Sequence, residues 1–128
     1  MTDRLFAYGT LEDRGLVRAL TGRSFAAIEA RLPGYDRYLL RGQPYPGIVR
    51  SPGGVVPGTL YLGVDGDALR RLDRYEGPPY RRTEVAVVTY DAGRVAAWAY
   101  VIPERLRGVL SGRRWSPSRD GDAPGGSG

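Results

Sequence analysis

Cysteine, histidine and lysine are all missing from this chain of 128 residues, and its 19 basic side chains are arginines without exception. Those gaps remove thiolate nucleophiles, imidazole bases, Schiff-base lysines, Walker-type phosphate loops and disulfide scaffolds together. The usual ligands of zinc and copper go with them, which argues against such metal centres. No apolar run approaches the roughly 18 residues that a membrane-spanning helix needs. The start, "MTDRLFAYGTL", lacks the basic and then apolar regions of a signal peptide, so a cytoplasmic location is expected. Acid–base chemistry is left to 14 carboxylates, with hydroxyls, phenols, guanidinium groups and backbone amides in support.

What is present suffices for one modest core, since 41% of the residues are hydrophobic and the length suits a single domain. A formal charge of +5 raises the question of nucleic acid. Many arginines, however, stand beside an acid, as in "TDR", "EDR" and "YDR", and only residues 105–119 are locally basic. In that stretch, arginines surround Trp115, which reads as a stacking platform for nucleic acid, as a residue packed against the domain, or as part of a flexible tail, the last two being favoured. The dispersed charge does not favour a nucleic-acid partner.

Along the chain, "RLFAYGTL" reads as a first strand ending in a glycine turn. "EDRGLVRALTG" spaces Leu16, Val17 and Leu20 for a short helix that stops at Gly22. Residues 29–54 alternate short apolar pieces with Pro-Gly and Gly-Gly pairs, which predicts brief strands and tight loops. "VVPGTLYLGV" predicts a strand, and a helix follows from an Asp65 N-cap to Gly77 and Pro78. "RRTEVAVVTY" and "RVAAWAYVI" predict a hairpin around "DAG". Tyr61, Tyr90, Trp98 and Tyr100 are assigned to strand packing, and Tyr35, Tyr38 and Tyr45 to loops that could line a cavity. From Pro103 the apolar pattern decays. The expected organisation is one domain over residues 1–115 and a disordered tail over 116–128. These elements predict an α+β fold, a curled mixed sheet or small barrel with helices at one side.

Two segments stand out. On a helix turning about 100° per residue, Ala68, Leu69, Leu72 and Tyr75 share one arc, and so does Glu76, while Asp67, Arg70, Arg71, Asp73 and Arg74 fall opposite. A carboxylate carried inward without a partner titrates upward, as a general base near neutrality requires. The alternative is a frayed helix end at which Glu76 pairs with Arg81 or Arg82. The second segment is "YGTL", residues 8–11, where glycine permits close backbone approach and successive amides can hold an anion. Its plainer reading is a strand-to-helix turn capped by Thr10.

"LFAYGTL", "PYPGIV" at 44–49, "VPGTLYLGV" at 56–64, "LDRYEGPPYRRTEVAV" at 72–87 and "AWAYV" at 97–101 occur in the order found in gamma-glutamylcyclotransferase-like proteins, small bacterial-type members included. The resemblance covers about residues 4–102. It implies a small mixed β-barrel of about five to seven strands, flanked by short helices, with a cavity at one end. It also implies substrate binding by Tyr8, Gly9, Thr10 and Leu11, acid–base catalysis by Glu76, and a supporting place for Tyr80. The implied reaction cleaves a small gamma-glutamyl amide to 5-oxoproline and an amine, with no metal or organic cofactor and no membrane partner. The short loops favour an exposed site and a bulky or extended leaving group. The alternative is a non-catalytic protein that binds gamma-glutamyl or amino-acid-like ligands on the same fold.

Overall fold

A computed structural model describes residues 3–114. Trp115 and the tail expected over 116–128 lie outside the described residues. Strand β1 (Leu5–Ala7) passes through a single 3-10 turn (Thr10–Glu12) into helix α1 (Arg14–Thr21). Strands β2 (Ala26–Leu40) and β3 (Pro46–Leu62) form a long hairpin, followed by helix α2 (Gly66–Glu76). A second hairpin, β4 (Arg81–Thr89) and β5 (Gly93–Val101), leads through a 3-10 stretch (Glu104–Val109) to β6 (Leu110–Arg114).

The fold is α+β. Strands pair in the order β3-β1-β5-β4-β2, and a β2–β3 pairing closes the five into a barrel, with β6 added to β2 outside the ring. Strand β1 runs antiparallel to β3 and parallel to β5. Alternation along β1 divides the core in two. Phe6 and Tyr8 point into the barrel with Leu32, Ile48 and Val87, whereas Leu5 and Ala7 face outward onto Val17, Leu69 and Leu72 of the helices. The close fit over β1 depends on Gly58, where an added Cβ would lie 2.3 Å from the Ala7 carbonyl oxygen and 2.7 Å from Phe6 Cζ.

Both helices are capped by aspartate. Asp13 accepts from the amides of Gly15 and Leu16 at the start of α1, and Asp65 accepts from Ala68 at the start of α2, as expected for the latter. Thr10 does not cap. On α2, Ala68, Leu69, Leu72 and Glu76 are buried. Tyr75, expected on the same arc, is instead 40% exposed, because it sits at the edge of the stripe, roughly 60° round from Leu72.

Other expectations need correction. The brief strands and loops read from residues 29–54 are two long strands, whose Pro and Gly residues are absorbed by a bulge between Pro33 and Tyr35 with Gly34 at φ 86°. Tyr35 and Tyr38 therefore lie on β2 rather than in loops. Tyr90 is not packed; it is 98% exposed at the tip of the second hairpin. Past Pro103, where the apolar pattern thins, Leu110 pairs with Leu40 to hold β6, and Leu106 and Val109 pack in the same cluster. No helix among the described residues is long and apolar enough to cross a membrane.

Candidate active site

Tyr8 extends the inward side of β1 and is fully buried. The β1–β5 ladder ends at the Phe6–Ala99 pair, and beyond it the Tyr8 hydroxyl donates to the Tyr100 carbonyl at 2.6 Å. Burial, then the neighbouring Tyr80 and the Glu76 charge, push the Tyr8 phenol well above its ordinary value; the Ile48 amide and Arg37 pull the other way. Tyr8 thus lies within electrostatic reach of both Tyr80 and Glu76.

Glu76 sits on the last turn of α2. It is 7% exposed, and both of its carboxylate oxygens are shielded from solvent. Its charge also raises the phenols of Tyr100 and Tyr75, in each case behind the larger effect of burial. Gly77, at φ 60°, ends the helix, and its amide donates to the Asp73 carbonyl at 3.1 Å. Tyr80 follows the Gly-Pro-Pro turn and donates its hydroxyl to the Pro46 carbonyl at 2.6 Å, pinning the "PYPGIV" segment to the end of the helix.

Asp73, placed on the solvent side by the helical projection, is a junction. Its Oδ1 accepts from the Tyr100 hydroxyl at 2.7 Å and from Arg82 Nε at 2.8 Å, and its Oδ2 accepts from Arg82 Nη2 at 3.2 Å. The Arg82 guanidinium lies 4.5 Å over the Trp98 ring. Arg82, one of the two arginines offered as a partner for Glu76, is therefore committed to Asp73, one turn earlier.

The loop after Tyr8 is held from outside. Arg37, 7% exposed, donates from Nη1 to the carbonyls of Tyr8 at 2.8 Å and Pro57 at 3.3 Å. In a trans peptide the N–H opposes the C=O, so anchoring the Tyr8 carbonyl turns the Gly9 amide away from Arg37. Among the described residues none accepts from the amides of Gly9, Thr10 or Leu11, and the buried Thr10 hydroxyl has no hydrogen-bond partner. Leu11 packs into the core, and its carbonyl accepts from Tyr61 at 2.6 Å. Arg37 was missed by sequence reasoning. Its signal was "YDRY", a charged pair inside what proves to be strand β2, with both Asp36 and Arg37 buried.

A cavity of about 600 Å³ opens on the Arg37 side, lined by Glu12, Glu29, Arg31, Arg37, Thr59 and Tyr90 among others, and it includes neither Tyr8 nor Glu76. There Thr59 donates to Glu12 at 3.0 Å. Burial raises the Glu12 carboxyl and lowers the Arg37 guanidinium, outweighing their mutual attraction in both groups. The buried acid thus lies outside this cavity.

The family model described as gamma-glutamyl cyclotransferase, AIG2-like, matches residues 5–118. Among curated proteins, AIG2-like protein A of Arabidopsis thaliana is 38% identical over 87 residues, covering 68% of this chain and 53% of that protein. AIG2-like protein D of the same plant is 29% identical over 117 residues, covering 87% and 77%. The chain spans about half the length of the first of these relatives. A solution structure from Arabidopsis thaliana superposes with a TM-score of 0.77 at 32% identity, over 89% of this chain and 76% of that one. A structure named gamma-glutamyl cyclotransferase shares the fold, with a TM-score of 0.66 at 24% identity over 80% of this chain and 67% of its own.

Proposed function

This chain belongs to the AIG2-like gamma-glutamyl cyclotransferase family, and from that premise we propose that it converts a gamma-glutamyl amide to 5-oxoproline and a free amine, with Glu76 as acid–base catalyst. The observation that carries this reading is a carboxylate shielded from water at the end of α2, within electrostatic reach of the buried Tyr8 phenol, whose residue precedes the loop at 9–11.

In the reaction, the α-nitrogen of the substrate forms a bond to its own γ-carbonyl carbon while the bond from that carbon to the leaving nitrogen breaks. Nucleophile and electrophile are tethered, so the protein needs to hold a reactive conformer and relay protons from the attacking to the leaving nitrogen. The lack of cysteine, histidine and lysine is then no handicap. Glu76, ionised, takes one proton from the substrate ammonium to free the attacking amine and passes it to the departing nitrogen; the second proton, lost by the attacking nitrogen as the lactam forms, follows the same route, and the amine leaves as its ammonium. The loop amides, with the Gly9 N–H directed away from Arg37, supply donors for negative charge, and the Thr10 hydroxyl supplies another close by. Tyr80 fixes the turn behind Glu76 through Pro46.

The test is release of 5-oxoproline from a panel of gamma-glutamyl amines, peptides and bulkier amides, with wild type and Glu76→Gln run in parallel. Turnover that disappears in a folded Glu76→Gln protein supports the assignment. Equal turnover in both removes Glu76 from the reaction. Ligand-dependent thermal stabilisation without 5-oxoproline would identify a binding protein instead.

A further inference from the structure

Resting on the reading of Glu76 as catalyst, we propose that Tyr100 is a positioning residue, whose carbonyl and hydroxyl tie Tyr8 and the Glu76 helix to one strand and so set their separation. One attachment leaves Tyr100 through its backbone and the other through its side chain. Its backbone oxygen accepts from the Tyr8 hydroxyl at 2.6 Å, and its own hydroxyl donates to Asp73 Oδ1 at 2.7 Å.

Three features make this a rigid link. Tyr100 is 2% exposed and sits in the cluster between barrel and helices, where packing leaves its two side-chain torsions little freedom. Asp73 is itself held on a second strand by Arg82, opposite Tyr100 in the β4–β5 register, so the acceptor does not drift. The Asp73 carbonyl also receives the Gly77 amide, which closes the helical turn carrying Glu76. A displacement at Asp73 is therefore passed to Glu76 by the backbone of a single turn, while Tyr8 stays attached to β5.

The arrangement differs from a merely stabilising contact in what it predicts. Tyr100→Phe deletes one hydroxyl and keeps the carbonyl, so Tyr8 remains bound while α2 loses its tether. Misplacing a catalytic group by a fraction of an ångström to an ångström costs kcat, up to about a hundredfold, whereas substrate binding elsewhere in the site is little affected.

The experiment compares full-length wild type, Tyr100→Phe, Asp73→Ala and Asp73→Asn by 5-oxoproline release and by 13C NMR of carboxyl-labelled glutamate. The expected result for Tyr100→Phe is a fall in kcat of roughly 10- to 100-fold, with KM within about twofold of wild type and the far-ultraviolet dichroism unchanged. Asp73→Ala should match it, and Asp73→Asn, which keeps an oxygen acceptor for the phenol, should recover most of the rate. Should Tyr100→Phe fail to fold, the two Asp73 variants decide the matter on the same criteria. Wild-type kcat in Tyr100→Phe and Asp73→Ala, or a loss confined to KM, overturns the inference while leaving the reaction intact. No turnover in wild type defeats the reaction instead. The NMR arm then decides: a displaced Glu76 carboxyl resonance in the variants supports the tie, and an unmoved one sinks it.

Discussion

Tyr8 connects two unlike regions. At its hydroxyl end, Tyr8 donates to the Tyr100 carbonyl and feels the charge of Glu76, whose carboxylate oxygens are shielded from solvent. At its carbonyl end, Arg37 borders an open cavity of about 600 Å³ that also receives Glu12, Glu29 and Arg31. Each region holds a carboxylate with limited access to water, and the second also borders an open cavity whose lining includes neither Tyr8 nor Glu76. The difference teaches that an open volume need not contain the acid that the proposed reaction uses. The open side supplies charge that anchors the loop, and the closed side supplies the shielded acid.

The sharpest test exchanges the two carboxylates. Glu76→Gln should reduce 5-oxoproline release by roughly 10²–10⁴-fold, the range for removing a general acid–base group, whereas Glu12→Gln should stay within about tenfold of wild type. A reversed order would put the chemistry in the open cavity and dissolve the contrast. Next in size is the anchor between the regions. Arg37→Met removes the donors to the Tyr8 and Pro57 carbonyls and should cost about 1.5–3 kcal/mol in urea unfolding. Tyr80→Phe removes a neutral hydrogen bond to Pro46 at the closed side and should cost about 1 kcal/mol by the same measurement.

The smallest effect is a pH dependence. Burial raises the folded-state pKa of Glu12 above its ordinary 4.5, so the folded chain holds that proton more tightly than the unfolded chain. Stability from this group falls as pH rises from about 4.5 through the folded pKa, and at neutral pH the ionised Glu12 is a burden. Glu12→Gln should therefore raise Tm slightly at pH 7, and the gain should vanish below about pH 4, where both states are protonated. A gain that persisted in acid would mean that packing, and not ionisation, sets the effect.

Helical spacing exposed the buried face of α2 and Glu76 within it, because Ala68, Leu69, Leu72 and Glu76 are positions of one helix. That projection could not treat Asp73 correctly. The groups that draw Asp73 inward, Arg82 and Tyr100, come from strands β4 and β5, and a wheel contains no information about neighbours outside its own helix. The loop at residues 8–11 was legible as a motif, but its anchor was not, since Arg37 reaches it from residue 37 across the barrel. The long β2–β3 hairpin was hidden by its own proline and glycine residues. These mark loops when they interrupt a chain alone, and here they sit at a bulge where the pairing resumes on the far side.

The hydrogen bond between Tyr8 and Tyr100 spans 92 positions of the chain. The β2–β3 and β4–β5 hairpins join neighbours across short connections, and contacts of that kind form at low entropic cost, whereas β1 must meet β5 across most of the domain. Contact order predicts that the first strand inserts late in assembly, and its insertion makes the Tyr8–Tyr100 bond. A chain unzipped at its first strand carries every loop residue and the acid, yet lacks the attachment that holds Tyr8 to β5. The proposed reaction therefore depends on a completed barrel.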